Sequence, residues 1–190
     1  MVGGSDGTDD IDVNGDGNNT IYGGNDDDAD TIDIAATATG DNTIYGGGTT
    51  AGGGAGTDNQ ITIAGTGANT VFNGGGDDAV AIAATATGDN MLYGGAGDDT
   101  FTFASADATA TIIFEAGNGA DEITGFVAGD DDHIVDLSAL GFTDADDVLD
   151  SMTDDGADVT LFVTAGQTIT FAGVDLTDLQ SADPADWLIL

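Results

Sequence analysis

The sequence predicts an all-β chain wound as a flattened parallel solenoid, and three observations predict it. Two short motifs, each alternating apolar with polar residues, follow one another along the chain. Within each, the alternation is that of a strand with one buried face. The apolar positions Ile11, Ile32, Ile61, Val80 and Phe101 recur at intervals of 21, 29, 19 and 21 residues. A period of about twenty residues, made of two strands and two turns, fits one coil of a stacked repeat. Finally, 32 glycines against a single proline supply many tight turns of one repeated kind.

The elements follow in order. The first motif is acid-x-apolar-x-apolar: Asp9-Asp10-Ile11-Asp12-Val13, Asp30-Thr31-Ile32-Asp33-Ile34, Asn59-Gln60-Ile61-Thr62-Ile63, Asp78-Ala79-Val80-Ala81-Ile82 and Asp99-Thr100-Phe101-Thr102-Phe103. The second is Asn19-Thr20-Ile21-Tyr22-Gly23-Gly24, repeated from Asn42 to Gly47 and more loosely from Asn69 to Gly74 and from Asn90 to Gly95. About five two-strand coils are expected, over residues 3–124. From about Gly125 the repeat fades, and residues 125–190 are expected to cap the solenoid with mixed strands and a short helix. Thr143 to Met152 reads as that helix, with Thr143 as N-cap and acids in the first turn. Val159–Val163 and Thr168–Phe171 read as a hairpin around Ala165-Gly166. Trp187-Leu188-Ile189-Leu190 reads as a last strand closing the core.

Charge narrows the function. The 190 residues carry 36 acids, no Lys and no Arg, a formal net charge of -36. Nucleic acid, acidic polysaccharide and anionic lipid all require a basic surface, so these partners are excluded. With one His and no Cys, a nucleophile-base-orienter catalyst has almost no material, and no enzyme is expected. No disulfide or zinc-thiolate site is possible. No apolar run approaches the roughly 18 residues that span a bilayer, and Met1 to Asp6 has no cationic or apolar stretch of a signal peptide. With 40% hydrophobic residues the chain is nonetheless apolar enough for a core.

Gly94-Gly95-Ala96-Gly97-Asp98-Asp99-Thr100-Phe101-Thr102 matches the nonapeptide Gly-Gly-x-Gly-x-Asp-x-apolar-x at every position. Asn73 to Ala81 and Ala116 to Thr124 are near matches, and Gly3 to Asp12 and Gly23 to Asp33 fit with one and two inserted residues. In these stretches the chain resembles the RTX family of calcium-binding repeats. Gly117-Asn118-Gly119-Ala120-Asp121, Phe126 and Asp136-Leu137-Ser138 are similar to the closing segment of many members. The resemblance implies a parallel β-roll, several bound Ca2+ ions, and an extracellular or cell-surface location reached by type I secretion through an uncleaved C-terminal signal. RTX proteases carry His-Glu-x-x-His, which is absent here.

Calcium chemistry can be reasoned from the residues themselves. The ion takes six to eight oxygens from carboxylates and backbone carbonyls, and glycine lets successive carbonyls turn toward one point. Stacked coils bring equivalent acids within about 5 Å of one another, which is costly without a cation between them. Candidate metal positions are Asp9, Gly23, Asp30, Asp58, Asn59, Gly74, Gly76, Asp78, Gly94, Ala96, Gly97, Asp98, Asp99, Gly117, Gly119 and Asp121. The third coil, Asp58-Asn59, is one residue out of phase and is expected to bind more weakly. On the opposite edge the equivalent residue is Asn19, Asn42, Asn69 or Asn90. Such a neutral ladder can stack by side-chain hydrogen bonds, so that edge is expected to be metal-poor, although members of the family commonly load both. Without calcium the acids are expected to hold the chain expanded.

Other features have plain readings. His133 is expected as an exposed strand residue. Tyr22, Tyr45, Phe72 and Tyr93 are expected as a cross-coil aromatic stack, a sugar platform being the alternative. Thr39, Thr66 and Thr87 form a short ladder that could order water, as in ice-binding modules. The first coil is expected to be uncapped, with strand edges open to homo-association. Three roles follow: a self-associating surface-layer, matrix or adhesive protein; a secretion and folding module of a larger exported protein; or a binder of ice or glycan.

Overall fold

The computed structural model describes residues 7–24, 28–47, 57–129 and 131–190. Strands β1 (Asp10–Val13), β2 (Thr20–Gly24), β3 (Thr31–Ile34), β4 (Thr43–Gly47), β5 (Gln60–Ile63), β6 (Thr70–Gly75), β7 (Ala79–Ile82), β8 (Asn90–Ala96) and β9 (Thr100–Phe103) fall on the two motifs. They continue as β10 (Ala110–Ile113), β11 (Ala120–Thr124) and β12 (His133–Asp136). After helix α1 (Ala145–Asp150) come β13 (Met152–Asp154), β14 (Asp158–Thr164) and β15 (Gln167–Ala172). Helix α2 (Leu176–Ser181), a 3-10 turn (Pro184–Asp186) and β16 (Leu188–Ile189) complete the described chain.

From β1 to β12 successive strands enter alternate sheets, whereas β13, β14 and β15 share one. One sheet runs β1-β3-β5-β7-β9-β11-β15-β14-β13 and the other β16-β12-β10-β8-β6-β4-β2. All neighbours are parallel except β15-β14 and β14-β13, which are antiparallel. Because side chains alternate across a strand, identical register stacks like on like. Ile11, Ile32, Ile61, Val80, Phe101, Ile123 and Phe171 form one buried column. Ile21, Ile44, Val71, Leu92, Ile112, Val135 and Leu188 form the facing one. The core is the seam between them.

The stack is taller than expected. Among the described residues seven parallel strands stand in each sheet rather than five, and no break in pairing falls at 124/125: β11 continues to β15 and β12 to β16. Of the added rungs, β10 and β12 keep an inward apolar residue but lack the turn motif, while β15 and β16, expected as strands of a cap, extend the parallel stack instead. The expected hairpin is β14-β15, with Ala165-Gly166 between Thr164 and Gln167 and Gly166 at φ +89°. The tail strand is β16, and Trp187 beside it is fully buried among Phe126 and Phe171. A second short helix joins the one expected, and the cap of α1 is Asp144, whose carboxylate accepts from Asp147 N–H at 2.9 Å. Thr143 instead donates its hydroxyl to Asp147 at 3.0 Å.

His133 is fully buried, which corrects the expectation of exposure. Its ring stacks on Phe103 at 3.7 Å, and Nδ1 accepts from Val127 N–H at 2.9 Å. The alternation of β12 turns His133 and Val135 inward together. No helix among the described residues is long and apolar enough to cross a membrane. Residues 1–6 lie outside the described residues, and with them the expected openness of the first coil.

Candidate metal-binding edge

Strands β3, β5, β7 and β9 each begin just after an acid or amide, and Asp121 holds the equivalent register position as the second residue of β11, so that each such residue lies over its counterpart in the next coil. The backbone N–H of each donates to the side-chain Oδ1 of the next. Asp9 donates to Asp30 at 2.9 Å, Asp30 to Asn59 at 3.0 Å and Asn59 to Asp78 at 2.6 Å. Asp78 donates to Asp99 and Asp99 to Asp121, both at 2.9 Å. Six candidate residues thus form one continuous ladder. Asn59 stands in phase within it, so the third coil is not displaced by a residue as its sequence suggested. What it lacks is charge, not register.

Asp58 belongs to a second, exposed row. Its carboxylate accepts from Asp77 N–H at 2.9 Å, that of Asp77 accepts from Asp98 N–H at 2.9 Å, and that of Asp98 accepts from Ala120 N–H at 2.8 Å. Asp77 was not singled out in the sequence, although its spacing to Asp98 equals that of Asp78 to Asp99. The remaining candidates are backbone positions. Gly74, Gly76, Gly97, Gly117 and Gly119 all adopt positive φ, which L side chains rarely take. At Gly97, with φ +133°, a side chain would also run into the carbonyl of Gly76. At Gly94, in the facing sheet, it would strike the Oδ2 of Asp99, and Gly23 faces Asp30 Oδ2 in the same way. The Ala96 carbonyl accepts from Gly76 N–H at 2.9 Å.

The inner ladder is electrostatically costly. Asp78, Asp99 and Asp121 are almost wholly buried, and the Oδ2 of each has no hydrogen-bond partner among the described residues. Burial, reinforced by neighbouring carboxylates, pushes the Asp78 carboxyl up to about 7, Asp99 to about 8 and Asp121 to about 6. A carboxylate so placed must hold a proton or meet a cation. Among the described residues no three His, Cys, Asp or Glu side chains converge on one point. Any cation at this edge therefore draws on backbone carbonyls and amides as well as on the ladder carboxylates, a donor set that suits a hard ion such as calcium. The row of orphaned oxygens fits that ion.

The opposite edge is self-satisfied. Asn19 Nδ2 donates to Asn42 Oδ1 at 2.9 Å, Asn42 to Asn69 at 2.8 Å and Asn69 to Asn90 at 2.9 Å. The series ends with Asn90 Nδ2 donating to the Thr109 carbonyl at 2.9 Å. The aromatic column also forms, with centroid spacings of 5.0, 5.3 and 4.7 Å from Tyr22 through Tyr45 and Phe72 to Tyr93. The rings lie face to face on one another, so the inner rings have no free face on which a sugar could stack. Thr39, Thr66 and Thr87 are exposed, and Thr39 donates to Asp16 at 3.2 Å.

The acid ladder ends at Asp121. Beyond it Gln167 accepts from the N–H of Gly117, fifty residues earlier in the chain, at 3.2 Å and donates to the Glu115 carbonyl at 2.7 Å. No local signal marks this residue, because its partners are set by the return of β15 onto β11. Searched against family models and curated proteins, the sequence matches none.

Proposed function

We propose that this chain is a secreted, calcium-folded β-roll of the RTX kind, non-catalytic, serving a structural role in a surface layer, matrix or adhesive assembly. One observation carries the reading: a row of buried carboxylate oxygens without partners, at Asp78, Asp99 and Asp121, in a chain with no Lys or Arg to neutralise them. Calcium between successive coils would meet Asp30, Asp78, Asp99 and Asp121 together with carbonyls of the turns at Gly74–Gly76, Gly94–Gly97 and Gly117–Gly119. Bound there, it supplies the positive charge that the polypeptide lacks. The Asn edge needs no ion. Extracellular calcium modules work at about 0.1–1 mM, so a chain of this design stays expanded in the cytosol, folds after export, and fits type I secretion.

Circular dichroism of the full chain in excess chelator and in millimolar calcium tests this. Strand signal should appear with calcium and vanish without it; a signal indifferent to chelator overturns the proposal. Light scattering tests the assembly part. Growth on calcium addition supports a self-associating protein, whereas a stable monomer reduces the role to that of a folding and secretion module.

A further inference from the structure

We infer that Asn73 supplies a neutral oxygen ligand to a mixed cation position beside Asp78, chemically distinct from the all-carboxylate steps that follow it. This rests on the calcium reading above. Register places Asn73 in line with Gly94, because Phe72 pairs with Tyr93 and Gly74 with Gly95. Asp78 is likewise in line with Asp99. A side chain at Gly94 would strike Asp99 Oδ2 and come within 3.1 Å of Phe101. One coil earlier Val80 replaces Phe101, and the volume so released lies where the Asn73 side chain enters. That side chain is 1% exposed and inward-facing, and among the described residues neither its Oδ1 nor its Nδ2 has a hydrogen-bond partner; nor has Asp78 Oδ2.

The neighbouring amide cannot serve. Asn59 spends its Oδ1 on Asp30 N–H at 3.0 Å and its Nδ2 on Thr57 O and Oγ1 at 3.2 and 3.3 Å. One carboxylate oxygen and one carboxamide thus remain unmatched in the same buried strip. An amide N–H aimed at Asp78 would leave its charge uncompensated in a chain without a basic side chain. A cation takes both oxygens, and amide oxygens are ordinary calcium ligands. With Asn59 in place of an acid, this position has one carboxylate fewer than the Asp78–Asp99 and Asp99–Asp121 steps. Fewer charges weaken calcium binding, so it fills last.

Calorimetric titration of the full chain with calcium reads this directly. Asn73→Ala should lose the weakest equivalent and leave the tighter ones unchanged. Asn73→Asp, nearly isosteric, should tighten that equivalent by about tenfold or more through its added charge. An Asn73→Ala chain with unchanged stoichiometry and affinities, or with one site gained as a mere plug would give, overturns the inference alone. A wild-type chain that binds no calcium overturns the calcium reading as well. Should Asn73→Ala fail to fold, an Asn73→Asp chain with no tightened equivalent overturns the inference by itself.

Discussion

Asp99 is 1% exposed, and one of its oxygens meets no donor. Its substitution therefore has opposite effects in the two states of the proposed switch. Asp99→Asn keeps an Oδ1 to accept from Asp78 N–H, as Asn59 accepts from Asp30, but removes the buried charge. The metal-free form should gain stability, while calcium binding at the two flanking steps should weaken by about tenfold or more, about 1.4 kcal/mol. Melting with and without calcium checks both signs, and a loss in both states would assign Asp99 to packing alone. At this scale the sequence was legible wherever a residue repeated. Asp30, Asp78 and Asp99 were readable from phase. The phase of Asn59 was not, because an acid of the repeat's type, Asp58, stands one residue before it, and the burial of His133 was not, because one polar residue in a short strand does not show which face it joins.

The Asn ladder is the element whose behaviour most sharply separates the two edges. Asn69 accepts from Asn42 N–H at 3.2 Å and from Asn42 Nδ2 at 2.8 Å, and it donates to Asn90 and to the Gly67 carbonyl. Asn69→Ala strands these buried groups and should cost about 1–3 kcal/mol with no change in calcium stoichiometry. Denaturant unfolding in saturating calcium, paired with titration, measures both; a lost calcium equivalent would place metal on this edge too. Strands β1 to β9 were legible as elements because the same side-chain alternation recurs between glycine turns. Strands β10 and β12 were not legible as rungs of the stack, since a four-residue strand without its turn motif resembles any other apolar run, whereas the short β16 was read as a closing strand. The cap of α1 moved by one residue, to Asp144, because both Thr143 and Asp144 can accept an N-cap hydrogen bond and backbone geometry selects between them.

The whole molecule should respond to pH in a direction set by the ladder. The folded-state values of about 7, 8 and 6 for Asp78, Asp99 and Asp121 lie above the ordinary aspartate value near 4. The metal-free fold therefore binds more protons than the unfolded chain between these limits. Its stabilisation by protonation is complete below about pH 4 and is lost as pH rises through the range 6 to 8. Chelated protein should show more strand signal at pH 5 than at pH 8; equal signals would remove the ladder from the energetics. With calcium bound as proposed the trend should reverse, because protons would compete for the same oxygens. Trp187, fully buried and the only tryptophan, reports whether the far end of the stack shares this switch. Its emission should shift red on chelation and recover with calcium, whereas an unchanged spectrum would make the C-terminal strands an independently folded unit.

The order of like residues along the chain determined by itself that this is a stacked β protein with an acid edge and an amide edge. Period and alternation are local properties, and a repeat that restarts every twenty residues or so places each residue over its counterpart. Only the tertiary structure decided which carboxylate oxygens are left without a partner among the described residues, that the Asn73 side chain is buried in line with Gly94, and that β15 and Gln167 return onto β11. These depend on burial and on contacts between segments fifty residues apart, and desolvation is a property of the assembled coils that no single turn carries.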